Sequence, residues 1–286
     1  MKQQALQQFL GLNILRLFVG LVLLFLGIIL WEVFSKGGGA IDADFLFDYP
    51  RKGMTLGGIF PTIMGTIFVT MVTTIFALPM GIATAIYLSE YASNNWANQL
   101  IRASIRNLAG VPSIIYGLFG VAVFVQGLGL GSSVLSSGLT LGLLTLPYII
   151  TTTEEALKNV PHSYREGALA LGATKWEAIW TNVLPSAVSG IVTGSILGLS
   201  RAAGETAPIL FTGVAFYLRY LPASVYDSFM AMPYHLYILS TQHHAIEEVR
   251  PLAYGTALVL LSLVFVLNII AFIIRYRYRN FNKARI

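Results

Sequence analysis

Between Leu184 and Tyr217 the sequence holds one arginine and one acidic residue, Arg201 and Glu205, and no lysine, aspartate or histidine. Their four-residue spacing puts both on one face of a helix, where they can pair. At about 1.5 Å per residue, Arg201 lies roughly 25 Å along such a helix from Leu184, past the centre of a bilayer. Two readings follow. The pair can be a self-neutralising ion pair that fixes helix packing. Alternatively, it can face a pathway, as ionisable residues in membrane spans usually do. Arg201 would then offer a planar, permanent fork to a tetrahedral oxyanion, while Glu205 holds that fork and keeps the resting site from trapping the anion.

A second cluster precedes this segment: Pro161-His-Ser-Tyr-Arg-Glu-Gly-Ala-Leu-Ala-Leu-Gly172-Ala-Thr-Lys-Trp-Glu-Ala-Ile-Trp-Thr-Asn-Val-Leu-Pro185. Ser163 and Glu166 stand at capping-box spacing, predicting a helix that begins there, and Gly172 is placed to end it in a left-handed turn. Thr174 and Glu177 repeat the box. The following helix would carry Trp176, Ile179, Trp180 and Val183 on one face, and Pro185 can open the next helix. The expected object is an elbow of two short amphipathic helices. Two exposed tryptophans on such a helix either lie among lipid headgroups or fill a groove on another protein, and physics alone leaves both open.

Other chemistries lack their residues. Without cysteine there is no disulfide framework, thiolate metal site or cysteine nucleophile. No G-x-x-x-x-G-K-[ST] loop is present to cradle a nucleotide, and no H-E-x-x-H or G-x-S-x-G motif occurs. His243 and His244 are expected to be solvated loop residues, since no acidic cluster at zinc spacing accompanies them.

The elements that must position these residues are membrane helices. Of the 286 residues, 56 % are hydrophobic and only 11 % charged, which excludes a soluble domain of this size. A charge at the bilayer centre costs about 3 kcal/mol on insertion scales, so the charges mark where spans end. The first span covers Leu12 to Trp31 and is retained, with no small-residue cleavage site after it. Gly53 to Ser89 carries one long helix beginning near Ile59, with a kink expected at Pro79. Asn107 to Thr153 has room for two spans, joined by a Gly/Ser turn over 126–138. The fifth span runs from Leu184 to Tyr217 and the last from Leu252 to Ile274, making six.

Lysine and arginine gather at the amino end (Lys2, Arg16), the loop 90–106 (Arg102, Arg106), the loop 154–182 (Lys158, Arg165, Lys175) and the end of the chain (Arg275, then Arg277, Arg279, Lys283 and Arg285 in the basic tail 276–286), whereas the opposite loops carry only Lys36, Arg51, Lys52, Arg219 and Arg250. Both termini are therefore expected on the cytoplasmic side. The outer segment 219–250, with Tyr220, Tyr226, Tyr234 and Tyr237, is expected along the interface as an aromatic belt. Ser186, Gly190, Gly194, Gly198 and Ala202 form a small-residue ridge for close helix approach, in this chain or in a partner. Thr62, Thr66, Thr70 and Thr74 form an every-fourth stripe whose hydroxyls are expected to bond back to their own helix.

Glu166-Gly167-Ala168, Gly172 and Leu184-Pro185 resemble the EAA motif of ABC importer permeases, with Gly167 where alanine is usual and Asn182 where isoleucine is common. The resemblance covers roughly 59–275, beyond an amino-terminal span and outer loop in 1–58. It implies an all-α integral membrane protein of six transmembrane helices, with a cytoplasmic coupling helix between spans 4 and 5. Residues 161–185 would be the coupling element, with Glu166, Gly167, Ala168, Gly172, Trp176 and Trp180 docking on an ATPase. Arg201-Ala-Ala-Gly-Glu205-Thr206-Ala-Pro is similar to the matching segment of phosphate-importer permeases, which makes Arg201, Glu205 and Thr206 pathway residues.

The implied function is the permease subunit of an ATP-driven phosphate importer in a bacterial cell membrane, not an enzyme, with neither cofactor nor metal of its own. ATP and Mg would be bound by the partner ATPase. The implied partners are a homologous permease, an ATP-binding cassette ATPase dimer, an extracytoplasmic phosphate-binding protein and membrane lipid, with no nucleic acid. The alternatives are sulfate or molybdate as cargo, or an ion-coupled anion transporter, for which the spans hold little beyond Glu205 as a titratable relay.

Overall fold

The computed structural model describes residues 2–283, with side chains placed from residue 9 to residue 277. Lys2, Arg279, Lys283 and Arg285, counted above for orientation, lie outside the described side chains.

The first helix, α1 (Lys2–Gly37), is apolar all round and exposed along most of its described length. That is the surface expected where hydrocarbon is the solvent. It meets the body near its end, where a Cβ on Gly37 would fall 2.6 Å from the Tyr254 carbonyl oxygen. Nearby, Lys36 pairs with Glu32 at 2.6 Å and the Tyr254 hydroxyl donates to Glu32 at 3.1 Å. A short helix, α2 (Ala43–Phe47), is capped by Asp42, which accepts from the Phe45 N–H. A two-residue hairpin follows, β1 (Pro50–Arg51) and β2 (Leu56–Gly57), turning through Gly53 at φ +64°.

Helix α3 (Phe60–Ile86) opens with Pro61, contains Pro79 and continues through a wider turn, Tyr87–Tyr91. Its threonine stripe behaves as expected. The hydroxyls of Thr66, Thr70 and Thr74 donate to carbonyls four residues back at 2.7–2.8 Å, and that of Thr62 to Ile59. The segment read as a loop after Glu90 instead contains a helix, α4 (Trp96–Leu108), capped by the Asn95 side chain. It turns through 104° into α5 (Ser113–Gly120), which widens over Val121–Gly127. The uncharged stretch from Asn107 thus opens on the end of α4, and the next helix, α5, begins at Ser113. After a turn, α6 (Val134–Lys158) returns.

The elbow is α7 (His162–Ala170) and α8 (Lys175–Ala178), which runs through a wider turn, Ile179–Val183, into α9 (Leu184–Ala203). The fifth span stops there, well short of Tyr217, because the chain breaks at Gly204 before the short α10 (Ala207–Thr212). The outer segment contains α11 (Met232–Thr241), and α12 (Ile246–Lys283) closes the chain. Among the described residues five helices are long and apolar enough to cross a bilayer, and α4 with α5 makes a sixth, bent candidate.

The ridge on α9 is used within this chain. Cβ atoms added at Gly190, Gly194 and Gly198 would lie 2.5–2.9 Å from Ala156, Thr152 and Tyr148 of α6. The core has a part at each end. Leu157, Val160, Val183, Ala187 and Ile191 pack at the elbow end, and Met54, Met230, Ile238, Leu239 and Val249 at the far end.

Two expectations about histidine and tyrosine change here. His243 is buried, its Nε2 2.8 Å from the Gly53 carbonyl oxygen, because the hairpin folds over it; His244 stacks on it and stays exposed. Tyr220, Tyr226 and Tyr237 are exposed, whereas Tyr234 is partly buried and stacks on Tyr237.

Candidate functional site

The elbow is rigid by local bonding. Gly172 takes φ +86°, and the bonds Ala173 N–H to Ala168 and Gly172 N–H to Leu169 close α7 with a paired 6→1 and 5→2 pattern. Two residues on, Thr174 and Glu177 form the expected capping box. The Glu177 N–H donates to the Thr174 hydroxyl oxygen at 3.3 Å, and the Thr174 N–H donates to the Glu177 carboxylate at 2.7 Å. The first box does not form. Pro161 takes the cap position without a side-chain bond, and Ser163 already lies inside α7, so the helix begins two residues earlier than the Ser163–Glu166 spacing suggested.

The apolar residues of the second helix divide between two faces instead of sharing one. Ile179 and Val183 are buried, Val183 among residues at the ends of α6 and α9, while Trp176 and Trp180 face outward, stacked with ring centroids 5.7 Å apart. Leu171, at the apex, is 90 % exposed. Glu166 and Gly167 are exposed on α7, and Ala168 is half-buried. A protruding pair of aromatic rings beside an exposed leucine fits a groove in a partner better than it fits water.

The ion pair lies at the far end of α9. Arg201 is in the last turn, and Glu205 follows the helix end rather than continuing its face. The Arg201 Nε still reaches Glu205 Oε1 at 3.4 Å, with side-chain exposures of 69 % and 17 %. Thr206 precedes α10 and makes no capping bond with its side chain. Helix α5 packs closely against the start of α10: a Cβ on Gly117 would meet the Ala207 carbonyl oxygen at 2.9 Å, and one on Gly120 would crowd Thr140 of α6 and Thr212 of α10. Arg201 therefore presents its guanidinium outward from the bundle, steadied from one side by a half-sheltered carboxylate. Such an arrangement can receive an anion without burying an unpaired charge.

Four charges at the edges of spans, of which Arg102 and Arg165 also bear on orientation, form two ion pairs at the elbow end. Arg102 of α4 donates to Glu154 of α6 and to the Leu88 carbonyl oxygen. Arg165 of α7 donates to both carboxylate oxygens of Glu90. Their signal in the sequence was the alternation of sign at the edges of otherwise uncharged runs. Among the described residues no three histidine, aspartate or glutamate side chains gather at metal-binding distance.

Residues 77–280 match the family described as "Binding-protein-dependent transport system inner membrane component". The chain is 33 % identical over 253 residues to a phosphate transport system permease protein, PstA 1, of Mycobacterium tuberculosis, covering 87 % of this chain and 82 % of that one. It is 31 % identical over 226 residues to the probable ABC transporter permease protein YqgI of Bacillus subtilis, covering 75 % of this chain and 76 % of that one. Its fold is similar to that in a crystal structure of a bacterial ABC transporter involved in import of the acidic polysaccharide alginate. There the TM-score is 0.61 at 15 % identity, over 94 % of this chain and 98 % of that one.

Proposed function

The chain belongs to the family of binding-protein-dependent transport system inner membrane components, and from that premise we propose that it is the phosphate permease of an ATP-driven importer. It is a multi-span transport subunit of the membrane, and the ATPase of such a system is a separate subunit. Phosphate as cargo is supported by the relation to the mycobacterial phosphate permease over most of both chains. One observation carries the reading to chemistry. Arg201, the permanent cation of the fifth span, stands exposed at the end of α9 with its fork steadied by Glu205.

In this reading both termini and the elbow are cytoplasmic, and α10, α11 and the hairpin face outward. A homologous permease completes the pore. An ATPase dimer grips Trp176, Trp180 and the α7 surface carrying Glu166, Gly167, Ala168 and Gly172, while an extracytoplasmic phosphate-binding protein delivers the anion. Closure of the ATPase moves the elbow, α9 follows because it is continuous with α8, and Arg201 changes its access from one side to the other. Arg201 supplies a charge-assisted, bidentate station for phosphate, with Thr206 as a neighbouring hydroxyl.

The test is ATP-dependent uptake of labelled phosphate by the purified complex in proteoliposomes. Uptake that requires ATP and is competed by phosphate but not by sulfate or molybdate supports the assignment. Uptake that ignores ATP and follows the membrane potential overturns it.

A further inference from the structure

Helix α7 has no buried residue, so no hydrophobic anchor holds it to the bundle. Beyond its neighbours within the elbow, what holds it among the described residues is one side chain. Arg165 donates from Nε to both Glu90 carboxylate oxygens at 3.1 and 3.2 Å, and from Nη2 to Glu90 Oε1 at 2.6 Å. It also donates to two carbonyl oxygens at the end of α6 and just past it, Leu157 at 2.9 Å and Val160 at 2.9 Å. Glu90 lies in the terminal turn of α3. One guanidinium thus joins the elbow to α3, with which it has no direct chain connection, and braces it against the end of α6, from which only Asn159–Pro161 separates it. The pair is sheltered, with side-chain exposures of 17 % and 7 %. Arg102 holds the same end of α3 from the other side, through Leu88 and Glu154.

A planar fork that satisfies a carboxylate and two carbonyls at once fixes orientation as well as distance, which a single point contact does not. We propose that Arg165 is a positioning residue for energy coupling, the strut through which displacement of the elbow reaches α3. This rests on the permease reading of the chain. Without the strut the elbow moves α9 and α6 through its two covalent connections, at Ile179–Val183 and Asn159–Pro161, and α3 does not follow. The coupling is then lost, while the docking surface on α8 is untouched.

The chain is naturally free of cysteine, so spin labels can be placed without removing any. In the assembled transporter, reporters at Ser163→Cys on α7 and Tyr87→Cys on α3 read the strut directly. With Arg165 in place we expect one narrow distance that is the same with and without ATP. With Arg165→Ala the distance should broaden on ATP binding. In proteoliposomes the same variant should keep its ATPase subunits and hydrolyse ATP at a near-normal rate, while phosphate moved per ATP falls about tenfold, a coupling loss in the usual range. Arg165→Lys, which can still reach Glu90 but cannot serve both carbonyls, should fall between.

An unchanged ratio of transport to hydrolysis in Arg165→Ala, or a parallel loss of both with an unbroadened distance, overturns the proposal. The distance measurement needs no cargo. Broadening in Arg165→Ala, together with no phosphate import by the complex that keeps Arg165, would therefore refute the phosphate assignment and leave the strut standing.

Discussion

Arg201 and Glu205 are held together across the end of a helix: the arginine is in the final turn of α9, the glutamate is beyond it, and 3.4 Å separates Nε from Oε1. Because Arg201 is largely exposed and the bond is long, the pair contributes on the order of 0–1 kcal/mol to stability. Its value lies elsewhere. Arg201→Ala should therefore leave assembly and thermal unfolding of the purified complex unchanged while phosphate uptake falls by more than about tenfold, consistent with loss of a charge-assisted pair. Arg201→Lys keeps the charge and loses the fork, so uptake should be intermediate. Glu205→Gln frees the guanidinium and should lower both the half-saturating phosphate concentration and the maximal rate. Normal uptake by Arg201→Ala would remove the station from the mechanism.

The glycines divide into those the packing requires and those it does not. A Cβ at Gly194 would fall 2.5 Å from Thr152, whereas one at Gly167 would meet nothing within 4 Å. Gly194→Val should force α9 off α6 and destabilise by about 1–3 kcal/mol, the usual cost of overpacking. Gly167→Ala, inside α7 and in open space, should stabilise the elbow by up to about 1 kcal/mol, since alanine is the better helix former. Melting temperatures of the two variants in detergent should move in opposite directions. Gly172→Ala, at φ +86°, should behave like the first of them through backbone strain of about 1 kcal/mol.

Features set by bonds between near neighbours were legible in the sequence. The Gly172 turn, the Thr174–Glu177 box and the threonine stripe each depend on residues at most five apart. Features set by distant partners were not. Arg102 read as a loop charge, but its carboxylate, Glu154, comes from another helix 52 residues away. His243 read as solvated because nothing local covers it, whereas the carbonyl it meets belongs to Gly53. Trp176 and Ile179 shared a face on an ideal helical wheel. Ile179 begins the wider turn Ile179–Val183, and the two residues face opposite ways. Thr206 and Glu205 sit in a mostly apolar stretch that reads as one span, yet α9 ends at Ala203 and α10 begins only at Ala207.

The stacked pair Trp176 and Trp180 makes a prediction that separates docking from folding. Both rings are exposed and rest mainly on each other, so removing them costs the chain little internal packing. At a protein interface, by contrast, large aromatic side chains carry much of the binding energy, at 2 kcal/mol or more per truncation in about the strongest cases. Trp176→Ala with Trp180→Ala should give a permease that inserts and melts normally but loses its ATPase subunits during purification. Lipid headgroups as the true environment of these rings would show as unchanged co-purification together with weakened membrane retention.

His235 gives the chain a pH dependence with a defined sign. It lies in α11, too short a helix to cross the bilayer, and it is buried with no partner for Nδ1. Burial, with a smaller contribution from His243, pushes its pKa down to about 4 from the usual 6.5. The neutral ring is therefore the form the fold accepts. Below pH 6.5 the unfolded chain binds a proton that the folded chain refuses, so stability is complete above that pH and drains away as the pH falls towards 4. The full loss is about 3 kcal/mol for a shift of this size. Unfolding midpoints of the purified protein measured from pH 7.5 down to 4.5 should fall accordingly, and His235→Gln, neutral throughout, should flatten that part of the curve. A slope that survives the substitution would assign the acid sensitivity to other groups.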